Sequence, residues 1–393
     1  MNDRAALELL LAHGPLSRTR IGRLTGLSKP TASQLLARLE AAGLVIATGT
    51  ASGRPGPNAQ LYALNAAAAH VAGLDVTPDR IRAAVADLAG EVAGTFELPT
   101  PGRAGRVVDQ VTRALDGAVR AAGLETSHIH RLVIATPGAF DPHTGALRYA
   151  SHLPGWHSPT LLDELAAALP MPVEYENDVN LAAVAEQRLG AARGHEDFVL
   201  LWNEDGLGAA LVLGGRLHRG WTGGAGEVGF LPVTGHPLVR QVTRVNSGGY
   251  QELAGVQVVP VLAAELGIEA PEPAEESSAY GAEVAAAVAL LSRAAARPEG
   301  AHLKLLRSYA TALATGLASL VAVLDPEIVV LSGAVIGAGG EPLHELLTAE
   351  LADLAPSRPR LVTGEVRELP VLRGALESAL AATRDEVFDT TRR

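Results

Sequence analysis

The stretch YENDVNLAAVAE, Tyr175 to Glu186, sets an acid, an amide and a second acid side by side ahead of a helix-forming run. Met171 to Val173 before it reads as a strand entering a turn, which places Asp178 at a strand-to-helix junction. A carboxylate there can face a bound hydroxyl group. Asp178 then reads either as the general base of an enzyme or as an acceptor that holds a ligand. It could also be the N-cap of a helix over Leu181 to Leu189, alongside either role.

Outward from this junction, strands and helices alternate. RLVIATPGAF (131–140), DFVLLWNEDGLGAALVLGGRLHRG (197–220) and PEIVVLSGAVIGAGG (326–340) carry strand-like runs between helical ones. HVAGLDVTPDRIRAAVADLAGEVAG (70–94) alternates like two strands joined at Thr77-Pro78-Asp79, with a second turn at Leu88-Ala89-Gly90. This order predicts an α/β body with helices on its sheets.

Ahead of the body the pattern changes. Asn2 to His13 reads as a helix with Asn2 as its cap and Gly14-Pro15 as its end. Ser17 can cap a short helix through Leu24, and Thr25-Gly26-Leu27 makes a turn. Ser28 caps the next helix, with Pro30 in its first turn, where a missing N–H costs nothing. Leu35, Leu36 and Leu39 form its buried stripe, and Gly43 stops it. Two helices around a glycine turn make a helix-turn-helix, whose second helix enters the major groove by its N-terminal end. Ser28, Lys29, Thr31, Ser33, Gln34 and Arg38 would face DNA there. Leu44 to Ala47 and Gln60 to Leu64 read as the strands of a wing, with Arg54 at its tip suited to a phosphate or a narrow minor groove. Ala66 to Ala69 reads as a link to the body.

Charge follows the same division. Residues 1–60 carry seven basic and three acidic side chains, a net +4, which leaves −15 on the remainder of a chain whose net charge is −11. A basic end on an acidic body suits a DNA-binding head on a ligand-binding body, because phosphate neutralisation supplies much of the affinity. With 393 residues the chain exceeds one ordinary core. A hydrophobic fraction of 48% with 19% charged residues belongs to a globular protein. The absence of cysteine excludes disulfides, thiolate metal sites and a cysteine nucleophile. The uncharged apolar stretch Ser308 to Leu324 falls short of the ~20 residues of a membrane span. With Asp3 and Arg4 interrupting any leader-like run, a cytoplasmic protein is expected.

Several segments together carry a family resemblance: TPGAFDPHTG (136–145), HLPGW (152–156), ENDVN (176–180), GGRLHRGWTGGAGEVG (214–229) and IVVLSGAV (328–335). With the head in front of them they resemble the ROK family of repressors and sugar kinases. The resemblance covers nearly the whole chain and implies an actin-like ATPase body of ROK sugar kinase type with an N-terminal winged helix-turn-helix domain. The expected division is a head over 1–65 and a ROK body over 70–393. Within the body, 70–175 plus the C-terminal helix would form the smaller α/β subdomain and 176–370 the larger.

By the same resemblance Asn177 and Asp178 would hydrogen-bond sugar hydroxyls and Glu227 would contact the anomeric side of the ring, with Gly138 and His152 completing the sugar-binding set. Glu227 could instead be a loop acid bonding nearby backbone N–H groups. The chain departs from the family at three places. The first phosphate turn, DIGGT in the kinases, reads Asp75-Val76-Thr77-Pro78-Asp79 here, with a proline that has no N–H and an added negative charge. The second, GTGIG, reads Glu204-Asp205-Gly206-Leu207-Gly208, which sets two carboxylates against a triphosphate. The family's zinc-ligating and sugar-contacting histidine is Phe230, and either His236 or His152 could replace its sugar contact.

These features predict a DNA-binding regulator, a repressor, that binds double-stranded operator DNA as a homodimer or higher homo-oligomer. A small sugar or sugar derivative would control it, with no catalytic residue, no cofactor, no metal and no membrane. An ATP-dependent sugar kinase with an appended head is the alternative. A DNA-binding protein whose body serves only for dimerisation is a third.

Overall fold

The computed structural model describes residues 2–51, 59–100, 106–141, 143–148, 153, 155–204, 206–239, 248–271 and 279–389. Arg54, His152 and Asp205, each singled out above, lie outside the described residues.

The head begins with α1 (Asn2–His13), β1 (Leu16–Ser17), α2 (Arg18–Thr25) and α3 (Lys29–Ala41). The Ser17 hydroxyl accepts from the Arg20 N–H and the Ser28 hydroxyl from the Thr31 N–H, so both helices start at their serine caps. Gly26, at φ +72°, closes α2 in the left-handed region that a side chain would disfavour. Strands β2 (Val45–Ala51) and β3 (Ala59–Leu64) pair antiparallel, and β1 joins them on the outer edge of β3.

The small lobe is a five-stranded sheet in the order β10-β7-β4-β5-β6. Its hairpins are β4 (His70–Val76), β5 (Arg80–Asp87) and β6 (Val92–Pro99); after α4 (Val107–Ala121), β7 (Ile129–Thr136) runs parallel to β4. A short hairpin follows, β8 (Ala139–Asp141) with β9 (Ala146–Arg148). Then α5 (Leu161–Ala168) leads into β10 (Val173–Asn177), parallel to β7, and β10 runs directly into α6 (Asp178–Leu189).

In the large lobe the order is β13-β12-β11-β14-β15. It uses β11 (Phe198–Asn203), β12 (Leu207–Leu213) and β13 (Arg216–Leu217). Helices α7 (Gly249–Ala254), α8 (Val258–Glu265), α9 (Ala279–Ala296) and α10 (Gly300–Leu324) precede β14 (Ile328–Ser332). The lobe ends with α11 (Ala334–Ala338), α12 (Gly340–Leu354) and β15 (Arg360–Thr363), after which α13 (Pro370–Phe388) returns to the small lobe. Among the described residues α10 alone is long and apolar enough to cross a membrane by length and composition, because the helix starts eight residues before the uncharged stretch and takes in Lys304 and Arg307. Its Leu305, Tyr309, Leu313 and Leu317 lie in the large-lobe core.

Helices α6 and α13 are sandwiched between the two sheets. Leu181, Ala182 and Val179 of α6 and Leu372, Ala375 and Leu376 of α13 share one core with Val71 and Val133 on one side and Leu200 and Val330 on the other. The two helices meet backbone to backbone at Gly374, where a Cβ would lie 1.8 Å from the Leu181 carbonyl oxygen. The far end of α6 is fixed by Glu186. Its buried carboxylate accepts from the N–H groups of Ala191 at 2.8 Å, Val366 at 2.9 Å and Glu365 at 3.1 Å, which satisfies a charge that burial would otherwise make costly.

The expected link at Ala66 to Ala69 is a 3-10 turn packed between domains. Ala69 is buried in the same core as Leu7, Leu36 and Leu39 of the head, and the body adds Leu88, Val387 and Phe388 to it. Burying Phe388 and Val387 there is worth up to ~1.5–3 kcal/mol each. Arg4 pairs with Asp385 at 2.6 Å, and the Arg384 guanidinium donates to the Leu88 carbonyl at 3.0 and 3.1 Å. The last turn of α13 therefore completes the head.

Candidate functional site

The register of β10 on β7 sets Asn177 opposite Thr136, two residues before Gly138. Asn177, not Asp178, is the cap of α6. Its Oδ1 accepts from the Asn180 N–H at 3.0 Å, and its Nδ2 donates to the Gly138 carbonyl at 3.1 Å. Asp178 is thereby the first helical residue, half-buried, with Oδ1 accepting from the Val179 N–H at 2.8 Å. A carboxylate in the first turn of a helix is favoured by the helix dipole.

Glu176, which sequence reading left without a role, ties this junction together. One carboxylate oxygen accepts from the Asn177 N–H at 3.0 Å and from Asn180 Nδ2 at 2.9 Å, and the other from Arg219 Nε at 2.5 Å. Arg219 begins the glycine-rich loop that ends at Glu227. Two glycines stitch that loop down. At Gly223 (φ +78°) a Cβ would lie 2.1 Å from the Phe140 carbonyl oxygen, and at Gly226 (φ +100°) 2.0 Å from that of Ala209. The Ala209 N–H donates to the Gly226 carbonyl at 2.9 Å. Glu227 sits at the foot of the loop, where burial pushes its carboxyl up to about 7. Its own N–H donates to the Gly224 carbonyl at 3.4 Å. Phe230 closes the 3-10 turn that follows.

Two turns, one in each sheet, correspond to the expected phosphate turns, and both are tied by backbone hydrogen bonds. In the turn between β4 and β5 the Thr77 N–H donates to the Arg80 carbonyl at 2.9 Å, and the Thr77 hydroxyl accepts from the Arg80 N–H at 3.3 Å. The Pro78 and Asp79 carbonyls accept from Thr100, through its hydroxyl at 3.2 Å and its N–H at 2.8 Å. In the turn between β11 and β12 the Glu204 N–H donates to the Gly206 carbonyl at 3.3 Å, and the Leu207 N–H to Gln251 Oε1 at 2.7 Å.

On the head, Lys29, Thr31 and Gln34 are exposed on α3, and Arg18, Arg20 and Arg23 are exposed on α2. Four of the expected DNA-facing residues have side-chain partners within the head. The Ser28 and Thr31 hydroxyls bond each other at 2.8 Å, and the Ser33 hydroxyl accepts from Arg18 at 2.9 Å. Arg38 is held by both carboxylate oxygens of Asp3 on α1, with Nε at 3.0 Å from Oδ2. The pair ties α3 to the first turn of α1, and Arg38 itself remains exposed.

Comparison with known proteins fixes the lineage. The ROK family model matches residues 71–381, and a MarR family model matches residues 3–54. The chain belongs to the ROK family. It is 25% identical over 348 residues to a protein named as a putative xylose repressor from Caldicellulosiruptor sp., covering 88% of this chain and 86% of that one. It is also 26% identical over 263 residues to a glucokinase of Streptomyces coelicolor, covering 66% and 80% of the two chains. Among solved structures, a ROK family transcriptional regulator described as a homolog of the E. coli MLC protein superposes with a TM-score of 0.73. That match spans 98% of this chain and 97% of that one at 20% identity, and it extends over the head as well as the body.

The Glu176–Arg219 pair joins the Asn177–Asp178 junction to the glycine-rich loop that ends at Glu227, and the Asn177 amide joins it to Gly138. Sequence reading missed Glu176, Arg219 and Trp221. The signal available was the arginine and tryptophan interrupting an otherwise glycine-rich loop.

Proposed function

We propose that the chain is a transcriptional repressor that binds operator DNA through its winged head and a small carbohydrate in the cleft of its body, without phosphorylating it. The name of the xylose repressor relative supports the class. The observation that carries the reading is the path of α13. Asn177 and Asp178 open α6, the middle of α6 abuts Gly374 of α13, and the end of α13 fills the head core with Val387 and Phe388. A sugar held at the start of α6 then acts on the helix that seats the head. It shifts the DNA equilibrium by its difference in affinity between the two states.

In this reading Asn177, Asp178 and Glu227 bond sugar hydroxyls, with Gly138 and His152 completing the set. Asp178 is an acceptor, not a base, because the turns that would hold a nucleotide have Pro78 and have the N–H groups of Thr77 and Leu207 occupied. Lys29 and Gln34 read DNA, with Ser28, Thr31, Ser33 and Arg38 beside them and Arg54 on the wing. A single helix-turn-helix makes few base contacts, so a homodimer or higher oligomer acting in the cytoplasm completes the reading.

The test is fluorescence anisotropy on a duplex that the protein itself selects from a random pool, titrated with xylose, glucose and related sugars. Asp178→Asn should keep duplex affinity within about twofold and lose the sugar response, because it removes the charge-assisted acceptor alone. A full sugar response in the variant would remove Asp178 from the sensor. Sugar-dependent ADP production by the parent would replace the repressor reading with the kinase one.

A further inference from the structure

Trp221 is 80% exposed, whereas the other two tryptophans, Trp156 and Trp202, are 5% and 7% exposed. An indole standing in water is unfavourable unless something covers it, and large exposed aromatic surface marks a binding site. Its location says what covers it. Trp221 is at the tip of the loop from Arg219 to Ala225, which closes on itself through the Ala225 N–H and the Arg219 carbonyl at 3.1 Å. Both flanks are pinned to the cleft. Two residues before it, Arg219 is bound to Glu176, the neighbour of Asn177. Two residues after it, Gly223 packs on the Phe140 carbonyl, two residues from Gly138. The platform is therefore built onto the rim of the cleft proposed above for carbohydrate.

A second ring shares that rim. The His143 imidazole lies 4.3 Å from the Trp221 ring, centroid to centroid, at an interplanar angle of 31°. His143 belongs to the β8–β9 hairpin of the small lobe and is held there by Asp141, whose carboxylate accepts from the His143 N–H at 2.9 Å and from Arg148 at 2.6 Å. Trp221 comes from the large lobe, so the two rings bridge the mouth of the cleft from opposite lobes. A pyranose or furanose ring has an apolar C–H face and a polar hydroxyl rim. The polar groups of Asn177, Asp178 and Glu227 suit a hydroxyl rim, and an aromatic face in water suits the C–H face of a further ring outside it.

We propose that the ligand of this body is a disaccharide or longer glycoside, one ring seated at Asp178 and Glu227 and the next stacked on Trp221. The inference rests on the carbohydrate reading of the cleft, and the experiment separates the two. The full-length parent, Trp221→Ala and Asp178→Asn are titrated calorimetrically with matched pairs: glucose against cellobiose and maltose, and xylose against xylobiose. In parallel, acrylamide quenching of the parent reports almost wholly on Trp221, since the other two indoles are buried.

At least one disaccharide should bind the parent roughly tenfold more tightly than its monosaccharide, equivalent to about 1.4 kcal/mol. It should protect the fluorescence from acrylamide, and Trp221→Ala should bring that ratio close to one, with Trp221→Phe recovering part of it. Asp178→Asn should weaken both members of the pair. If the monosaccharide binds as tightly as the disaccharide, or the ratio survives in Trp221→Ala, this inference is overturned while the carbohydrate reading stands. If Trp221→Ala alters the sedimenting mass and leaves the ratio unchanged, the ring belongs to a contact between copies and the inference is again overturned. If no sugar of either size binds the parent, the carbohydrate reading falls and takes this inference with it.

Discussion

Two pairs of segments in the body use their polar groups in opposite ways. In the β4–β5 and β11–β12 turns, backbone N–H groups are tied into the protein, Thr77 to Arg80 and Leu207 to Gln251. At α6 and the glycine-rich loop, the polar groups are side chains carried on stiff backbone, Asn177 and Asp178 on a capped helix and Glu227 below a stitched loop. A turn whose backbone N–H groups are already bonded has fewer donors to offer, whereas side chains on a stiff scaffold keep theirs, and here the scaffold is also what reaches the head.

That contrast can be broken at its scaffold, with the largest expected effect. Gly374→Ala would place a Cβ 1.8 Å from the Leu181 carbonyl oxygen. Alanine gains ~1 kcal/mol in helix propensity, but forcing α13 off α6 costs ~3 kcal/mol or more. Chemical denaturation should show a net loss of at least ~2 kcal/mol, together with a blunted sugar response. An unchanged midpoint would mean that the two helices are not held as close as described.

Glu227→Gln probes the buried carboxyl. Below pH 4.5 the side chain is protonated whether folded or not and contributes no difference. Between 4.5 and about 7 the folded chain keeps a proton that the unfolded chain has released, so stability falls as pH rises. The penalty is complete above about 7 and amounts to roughly 3 kcal/mol. Glutamine should therefore stabilise the protein at pH 8 by up to that amount and change little at pH 4. Equal effects at the two pH values would place the Glu227 carboxyl near its ordinary range.

The smallest change sharpens the division of labour at the junction. Asn177→Ala removes the cap of α6 and the bond to Gly138, and thermal unfolding should register a loss of ~1 kcal/mol. Asn177→Asp keeps an acceptor for the Asn180 N–H and loses only the donor to Gly138. It should recover most of that stability, and a variant as unstable as the alanine one would show that the Gly138 bond, not the cap, fixes the turn.

Much of the head was legible in the sequence because its determinants are local. The serine caps, the Gly26 turn and the leucine stripe of α3 act within a few residues, and the helices fall within a residue or two of their expected bounds. The alternation of strands and helices in the body was legible for the same reason. The Arg38 pair was not legible because its partner, Asp3, is thirty-five residues away on another helix. The burial of Ala69 in the link at Ala66 to Ala69 was not legible because the core it joins takes in Val387 and Phe388 from the far end of the chain.

The sequence by itself determined the order of the elements and the winged head, since capping, turn chemistry and apolar periodicity are properties of neighbours along the chain. Tertiary structure alone decided that Asn177 and not Asp178 caps α6, that Glu176 and Arg219 join two lobes, that the half-buried Glu227 carboxyl is desolvated, and that Trp221 stands in water beside His143. Each of these depends on which distant segment occupies the space around a side chain. That occupancy sets the dielectric, the hydrogen-bond partners and the exposure of the group, and it is fixed only when the sheets and the two helices between them have packed.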